Sequence, residues 1–471
     1  MNASIQPRDE FLAGTPPKPP PALTDVGNGE RFAADHALTL RYVTTWGQWI
    51  AWMGTHWRID ASAKGKPGAE VMTRAKRTAK RIATEASAAD EDAFKAIVKW
   101  AMASQNRSRL EAMIALAASE EPFPVDHESL DSDPWLLNTA SGTVDLRTGE
   151  LREHKPGDLI TKIAAAEYPN EPGVDGPVWS EFLNTIFDGD HELIAYVRRL
   201  MGCALVGEQL EHVLPILYGL GANGKSVFIE AISYALGDYA GPAAPGLFMT
   251  TRADRHPTEL ADLFGKRLVV LNETRDGAKL DEGLVKSISG GDQVKARRMH
   301  QDFWSFKPTH MPLLVTNHKP VVTGTDNGIW RRLRLIPFGV TIPPERQDRQ
   351  LPEKLRREAP AILKWLVEGC VEWRRVGLAE PAAVMAATDG YRNESDVVGQ
   401  FLDEWGVVSG DAKVKASRLL LTFNEWSKEA GYEPGDAKWL KAEMERRTFV
   451  FKKRSDANYF LGIGLRDDDD A

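Results

Sequence analysis

The sequence predicts an α/β phosphate-binding core set between an N-terminal α+β region and a C-terminal unit of three helices and a hairpin. Three observations carry this. The octet Gly219-Leu220-Gly221-Ala222-Asn223-Gly224-Lys225-Ser226 fits G-x-x-x-x-G-K-[ST] between a strand pattern and a helix pattern. Two further apolar runs, 267–271 and 311–316, end in polar residues, as core strands carrying a site do. Beyond residue 386, helical spacing recurs three times ahead of two strand-like runs.

Taken in order, residues 1–30 centre on Pro16-Pro17-Lys18-Pro19-Pro20-Pro21 and read as a flexible arm, too polar to bury a core. A domain from 31 to 185 follows. Short strands flank a Trp46-Gly47 turn, and helical stretches run over 71–89, 93–103 and 109–118. Alternating positions over 136–146 lead to a turn at Arg147-Thr148-Gly149-Glu150. Its tryptophans (46, 49, 52, 57, 100, 135) read as core aromatics rather than base-stacking platforms. Asp131 and Asp133 read as capping and turn residues, and no catalytic constellation stands out before Trp179.

The ATPase core is placed at 186–345. Strand 213–218, the glycine loop and a helix ending at Gly237 aim backbone N–H groups and a positive helix end at a polyphosphate. Gly219, Gly221, Asn223, Gly224, Lys225, Ser226 and Val227 are the expected nucleotide contacts. Lys225 would lie along the β- and γ-phosphates and Ser226 would be a ligand to Mg²⁺. The motif in this context reads as a nucleoside triphosphatase using ATP and Mg²⁺.

Strand 267–271 ends in Asn272-Glu273-Thr274. A carboxylate at the end of a core strand beside the loop strand is placed to activate water, so Glu273 is the candidate general base and a second candidate metal contact. Asn272 stands where an Asp is usual, leaving more of the metal binding to Ser226 and the phosphates. Asn317, polar at the end of the next apolar strand, fits a sensor of the γ-phosphate or the attacking water. Arg331 and Arg332 follow a turn, and one of them is the candidate finger for a neighbouring subunit's γ-phosphate. The sequence leaves open which of the two it is.

Between these strands Lys295, Arg297, Arg298, His300, Lys307 and His310 outnumber the acids, with Phe303 and Trp304 among them. A basic, aromatic-tipped hairpin suits contact with a nucleic-acid strand; bracing a neighbouring subunit is the alternative. Residues 346–385 read as a helical lid. In 386–471, helices at 397–405, 417–430 and 438–447 and a hairpin at 449–463 match a winged-helix arrangement. Lys438, Lys441, Arg446, Arg447, Lys452, Lys453 and Arg454 fall on its last helix and wing, where duplex DNA would be met. A protein-binding winged helix is the alternative. Asp467-Asp468-Asp469-Asp470 is a solvated tail.

The bulk properties exclude other classes. The chain has 471 residues, 42% of them hydrophobic, enough for real cores, with no run of membrane-spanning length and no signal-peptide core. Cys203 and Cys370 alone support neither a disulfide framework nor a cysteine zinc site, so a reducing cytoplasm is expected. The net charge of −8 argues against a uniformly basic coat, not against a local basic channel.

The ordered set of phosphate loop, Val269-Val270-Leu271-Asn272-Glu273, Gly290-Gly291-Asp292 with its basic hairpin, Thr316-Asn317-His318-Lys319-Pro320 and Gly328-Ile329-Trp330-Arg331-Arg332-Leu333 resembles the superfamily 3 helicases. It is most similar to the helicase part of phage and plasmid primase–helicases, with which the poxvirus helicase-primases are grouped. The resemblance runs from Arg31 to Arg466. It implies an AAA+ fold and a hexameric ring moving 3′→5′ on single-stranded DNA in a bacterial host's cytoplasm, with a separate primase or polymerase as a possible partner. Only the Pro-rich arm precedes Arg31, so no primase domain and no priming activity are expected. Two other readings remain: an origin-binding initiator whose hydrolysis switches assembly, and an AAA+ remodeler gripping polypeptide.

Overall fold

The structure, a computed structural model, describes residues 20–60, 66–169, 171, 173–250, 257–273, 275–297, 303–324 and 327–466. It divides into two compact units, 1–132 with 155–161, and 133–154 with 162–471.

The first unit opens with helix α1 (Asp25–His36), capped by Thr24, whose hydroxyl accepts the Gly27 N–H at 3.0 Å. A helix therefore begins inside the segment assigned to a flexible arm, while residues 1–19 lie outside the described ones. Its anchor is Phe32, fully buried with ring centroids 6.0 Å from Trp49 and 5.8 Å from Phe123. Strands β1 (Leu40–Val43), β2 (Gln48–Trp52) and β3 (Trp57–Ile59) form a meander. Helices α2 (Ala69–Arg81), α3 (Glu91–Ser104) and α4 (Arg107–Ala117) follow, and β4 (Pro124–Val125) pairs in parallel with β1. Trp46, Trp49 and Trp57 are buried, so these tryptophans are core residues.

The second unit begins with the antiparallel sheet β5 (Leu136–Thr139), β6 (Gly142–Asp145) and β7 (Glu150–Arg152). The division does not follow the 185/186 boundary read from sequence, because this sheet is bonded into the core. The Asn138 N–H donates to Tyr239 Oη at 3.1 Å, and the Ala166 N–H to the Ala235 carbonyl at 3.1 Å. Next come α5 (Pro177–Ile186), α6 (His191–Cys203), β8 (Leu214–Tyr218), α7 (Lys225–Leu236), β9 (Ala240–Pro242), α8 (Pro257–Ala261) and β10 (Leu268–Glu273). Helix α9 (Glu282–Gly290) leads to the hairpin β11 (Val294–Ala296) and β12 (Trp304–Phe306), then β13 (Met311–Thr316), α10 (Asn327–Trp330) and β14 (Leu333–Pro337).

Five of these strands form one sheet in the order β14-β8-β13-β10-β9, every pair parallel. Parallel strands are covered on both faces, which is why they read as unbroken apolar runs; Leu214, Ile216, Leu217, Leu268, Val269 and Leu313 are fully buried. One expectation is corrected here. Strand β10, with Glu273 at its end, does not lie beside the loop strand β8, because β13 is inserted between them. Crossover connections set that order, and they leave no trace in local pattern.

Helices α11 (Leu351–Arg357), α12 (Ala359–Val376) and α13 (Ala382–Ser395) follow the sheet, with α12 packed on α6 and α7. The C-terminal part runs α14 (Val397–Trp405), β15 (Gly406–Lys415), α15 (Ala416–Glu429), α16 (Ala437–Arg446), β16 (Val450–Lys453) and β17 (Asn458–Leu465). Its antiparallel sheet has the order β15-β17-β16, and Phe401, Leu419, Phe423, Met444, Phe460 and Ile463 form its own core. Strand β15 escaped the sequence reading because most of it is exposed and lacks apolar alternation. Among the described residues no helix is long and apolar enough to cross a membrane.

Candidate active site

The glycine loop joins the C-terminal end of β8 to α7, whose first residue is Lys225. Two glycines are enforced by geometry. Gly224 sits at φ +82°, and a Cβ there would lie 2.4 Å from Ile186 Cγ2 of α5. A Cβ on Gly219 would lie 2.4 Å from the Phe338 carbonyl oxygen just past β14. The loop is thus clamped between α5 and the chain leaving β14, a cradle that larger residues would fill.

Inside it, Asn223 Nδ2 donates to the Phe338 carbonyl at 3.2 Å, and Asn223 Oδ1 accepts from Lys225 Nζ at 3.1 Å. Lys225 Nζ also donates to the Gly219 carbonyl at 2.6 Å. The lysine is 5% exposed, and burial lowers its pKa. The Ser226 side is exposed. Gly221, Gly224, Lys225, Ser226 and Val227 line a cavity of about 780 Å³, within the size range of small-molecule sites.

The other predicted residues meet at the same edge of the sheet. Register places Glu273 opposite Thr316, and Thr316 opposite Tyr218, the last residue of β8. Asn272, Thr316 and Asn317 line the cavity. Thr316 Oγ1 donates to the His318 carbonyl at 2.6 Å and accepts the His318 N–H at 3.0 Å, a turn that holds Asn317 at the cavity wall. Among the described residues no cluster of three His, Cys, Asp or Glu could hold a metal. The cradle and the exposed Ser226 fit a cation brought in with a polyphosphate.

The two arginines are not equivalent. Arg332 Nε donates to Ser289 Oγ at 3.1 Å and its Nη1 to the Gly328 carbonyl at 2.7 Å. Arg331 is exposed, and its guanidinium takes no partner among the described residues.

In the hairpin, Val294 pairs with Phe306 and Ala296 with Trp304, so Lys295, Arg297 and Phe303 share the outer side. Lys295 Nζ lies 5.0 Å and the Arg297 guanidinium 4.9 Å from the Phe303 ring centroid, and Phe303 is 49% exposed. Trp304 is corrected from a tip residue to a core one: it is 7% exposed and packs at 4.9 Å on Phe264. His310 is likewise no basic contact. It is fully buried, and burial, reinforced by the charge of Lys266, pushes its pKa down to about 3. Arg298 and His300 lie outside the described residues.

On the C-terminal hairpin Lys452, Lys453 and Arg454 are exposed, with the Arg454 guanidinium 5.6 Å from the Tyr459 ring. Arg446 and Arg447 are instead tied to Glu443, and Arg447 to Asp396 as well. Sequence reasoning missed the wall formed by α5 and by Arg346 and Arg349, which also line the cavity. No motif marks them.

This geometry defines a phosphate-binding-loop α/β protein with polar strand ends around one cavity and a basic hairpin whose described residues do not line it. Residues 29–188 match a family model described as "D5 N terminal like", and residues 217–332 match a family of unknown function, DUF5906. A protein of Acanthamoeba polyphaga mimivirus named "Putative helicase L207/L206" is 28% identical over 354 residues, 70% of this chain and 37% of its own length. The "Putative helicase 022R" of Frog virus 3 is 23% identical over 63% of this chain and 39% of its own length. The "Putative primase C962R" of African swine fever virus is 26% identical over 44% of this chain and 22% of its own length. The chain thus spans less than two fifths of these relatives. Among solved structures, the NrS-1 C-terminal region aligns over 95% of this chain and all of its own, with a TM-score of 0.46 and 11% identity. These matches make the chain similar to the primase–helicases of phages and large DNA viruses.

Proposed function

We propose that the chain is an ATP-driven DNA helicase of superfamily 3, acting in replication of a phage or other mobile element. The observation that carries this is convergence: one cavity holds the phosphate loop, Asn272 and Asn317, and β10 ends there with Glu273. The all-parallel sheet with its loop at the C-terminal edge supports an AAA+ core. The names of the viral relatives support helicase function.

In this mechanism the loop N–H groups and Lys225 bind the polyphosphate and neutralise its charge. Lys225 exchanges its bonds to Gly219 and Asn223 for phosphate oxygens, so the ligand is met by a lysine that is already positioned. Ser226 and the Glu273 end of β10 would hold Mg²⁺, which supplies charge neutralisation on the phosphates. Glu273 accepts the proton of the attacking water and Asn317 orients that water against the γ-phosphate. Arg331, not Arg332, supplies the finger to the neighbouring subunit's site, because Arg332 is committed to Ser289 and Gly328.

Subunits form a hexameric ring that moves 3′→5′. Lys295, Arg297, Arg298, His300 and Phe303 grip single-stranded DNA. The C-terminal unit is a winged helix whose Lys452, Lys453 and Arg454 meet duplex. Unwinding of a forked duplex with ATP tests the reading. Strand separation that requires a 3′ tail is expected. ATP hydrolysis without strand separation would instead mark a nucleotide-controlled assembly switch.

A further inference from the structure

The chain leaving β14 straps across the phosphate loop before entering α11. Phe338 accepts Asn223 Nδ2 at its carbonyl, and the Ile342 N–H donates to the Ala222 carbonyl at 2.7 Å. The strap then turns, held by Gln347 Nε2 on the Ile342 carbonyl at 2.8 Å and the Gln350 N–H on Asp348 Oδ1 at 2.8 Å. Asp348 is paired with Lys354 at 2.7 Å. Arg346 and Arg349 are not so committed. Both are exposed, both line the cavity, and neither guanidinium takes a partner among the described residues.

Sheet order decides which end of a bound nucleotide they face. Asn272, Thr316 and Asn317 come from β10 and β13, on one side of β8, whereas the strap leaves β14 on the other side. The polar strand ends are the reacting, phosphate side. The strap side is walled by Val178 and Phe182 of α5 and by Ile342, Leu351 and Pro352, with Glu181 and the Asp348–Lys354 pair among them. Apolar side chains facing free guanidinium groups, with polar groups between them, suit a flat aromatic base with its ribose: planar cations stack on such rings, apolar walls take the other face, and polar groups meet the sugar hydroxyls. We propose that Arg346 and Arg349 are nucleotide-binding residues that cap the base and ribose in cis, independently of the phosphate loop.

The inference rests on the nucleotide-site reading above, so its test uses two ligands. Binding of ATP and of inorganic tripolyphosphate, each with Mg²⁺, is measured by calorimetry on the full chain and on the Arg346→Ala/Arg349→Ala variant. Thermal melts check that the variant is folded. ATP affinity is expected to fall about tenfold, as the loss of two stacked cations implies, with tripolyphosphate affinity unchanged within about twofold. Steady-state kinetics should show a raised KM and a nearly unchanged kcat. The Arg346→Lys/Arg349→Lys variant should recover little, since it keeps charge but not the planar group. Equal losses for ATP and tripolyphosphate, or full recovery by lysine, would place the arginines on the phosphates and overturn the cap. Unchanged affinity for both ligands would overturn it too while leaving the site intact. Failure of the unaltered chain to bind either ligand would overturn the site reading itself.

Discussion

Single residues carry the sharpest tests because the cavity brings several distinct chemistries within one loop and two strand ends. Glu273→Gln keeps shape but cannot accept water's proton, so hydrolysis should fall by about 10²-fold or more with ATP binding retained. Lys225→Ala should lose binding itself, because it removes the ammonium that the loop holds through Gly219 and Asn223. Calorimetry beside a phosphate-release assay separates the two, and near-normal turnover by the Gln variant would remove Glu273 from its role. A second residue acts on stability alone. His310 is neutral when folded, its pKa pushed down to about 3 by burial and the nearby Lys266, whereas the unfolded chain has an ordinary histidine near 6.5. The unfolded state therefore binds the extra proton, so its stabilising contribution is complete above about pH 6.5 and lost as pH falls toward 3. The expected slope is about 1.4 kcal/mol per pH unit from this group. Urea titrations at pH 7, 6 and 5 on the chain and on His310→Leu should differ in that slope; identical slopes would remove His310 as its source.

At the scale of elements, the hairpin β11–β12 shows how far composition could be trusted. Its basic, aromatic character was legible, but the division of labour between neighbouring aromatics was not. Strand alternation turns Phe303 outward under Lys295 and Arg297, and turns Trp304 into the core against Phe264. The two should therefore behave oppositely. Trp304→Ala should cost about 3 kcal/mol of stability, visible as a lowered melting temperature. Phe303→Ala should leave melting nearly unchanged and weaken single-stranded DNA binding several-fold. A Phe303→Ala protein that binds DNA normally would sink the outer-face reading. The same reasoning explains what the sequence could and could not convey. Strands β8, β10 and β13 were legible because parallel strands are apolar throughout. Strand β15 was not, since its exposed edge carries no alternation, and α1 was missed because one buried Phe32 anchors an otherwise polar helix.

For the whole molecule, the site was legible as far as motifs reach and no farther. The loop and Asn317 were read from motif and strand end and line the cavity, and Glu273 is placed at its strand end by register alone, whereas Arg346, Arg349 and the α5 wall enter the cavity only through folding. The choice between Arg331 and Arg332 likewise needed Ser289 and Gly328, distant in sequence or too ordinary to notice. That choice yields a prediction about assembly. If Arg331 completes a neighbour's site, neither Arg331→Ala nor Glu273→Gln should hydrolyse ATP alone. In rings mixed from both, some interfaces draw Glu273 from one subunit and Arg331 from the other. Mixing should then restore activity toward about a quarter of the unaltered rate, the share of such interfaces in random rings with one working pair per interface. Arg332→Ala should behave otherwise, losing stability through the freed Ser289 and gaining nothing from mixing. Phosphate release measured across mixing ratios, with fluorescence exchange confirming mixed rings, decides it. Mixed rings that stay as inactive as their parents would assign Arg331 to its own subunit's site, and the neighbour-supplied finger would be lost with it.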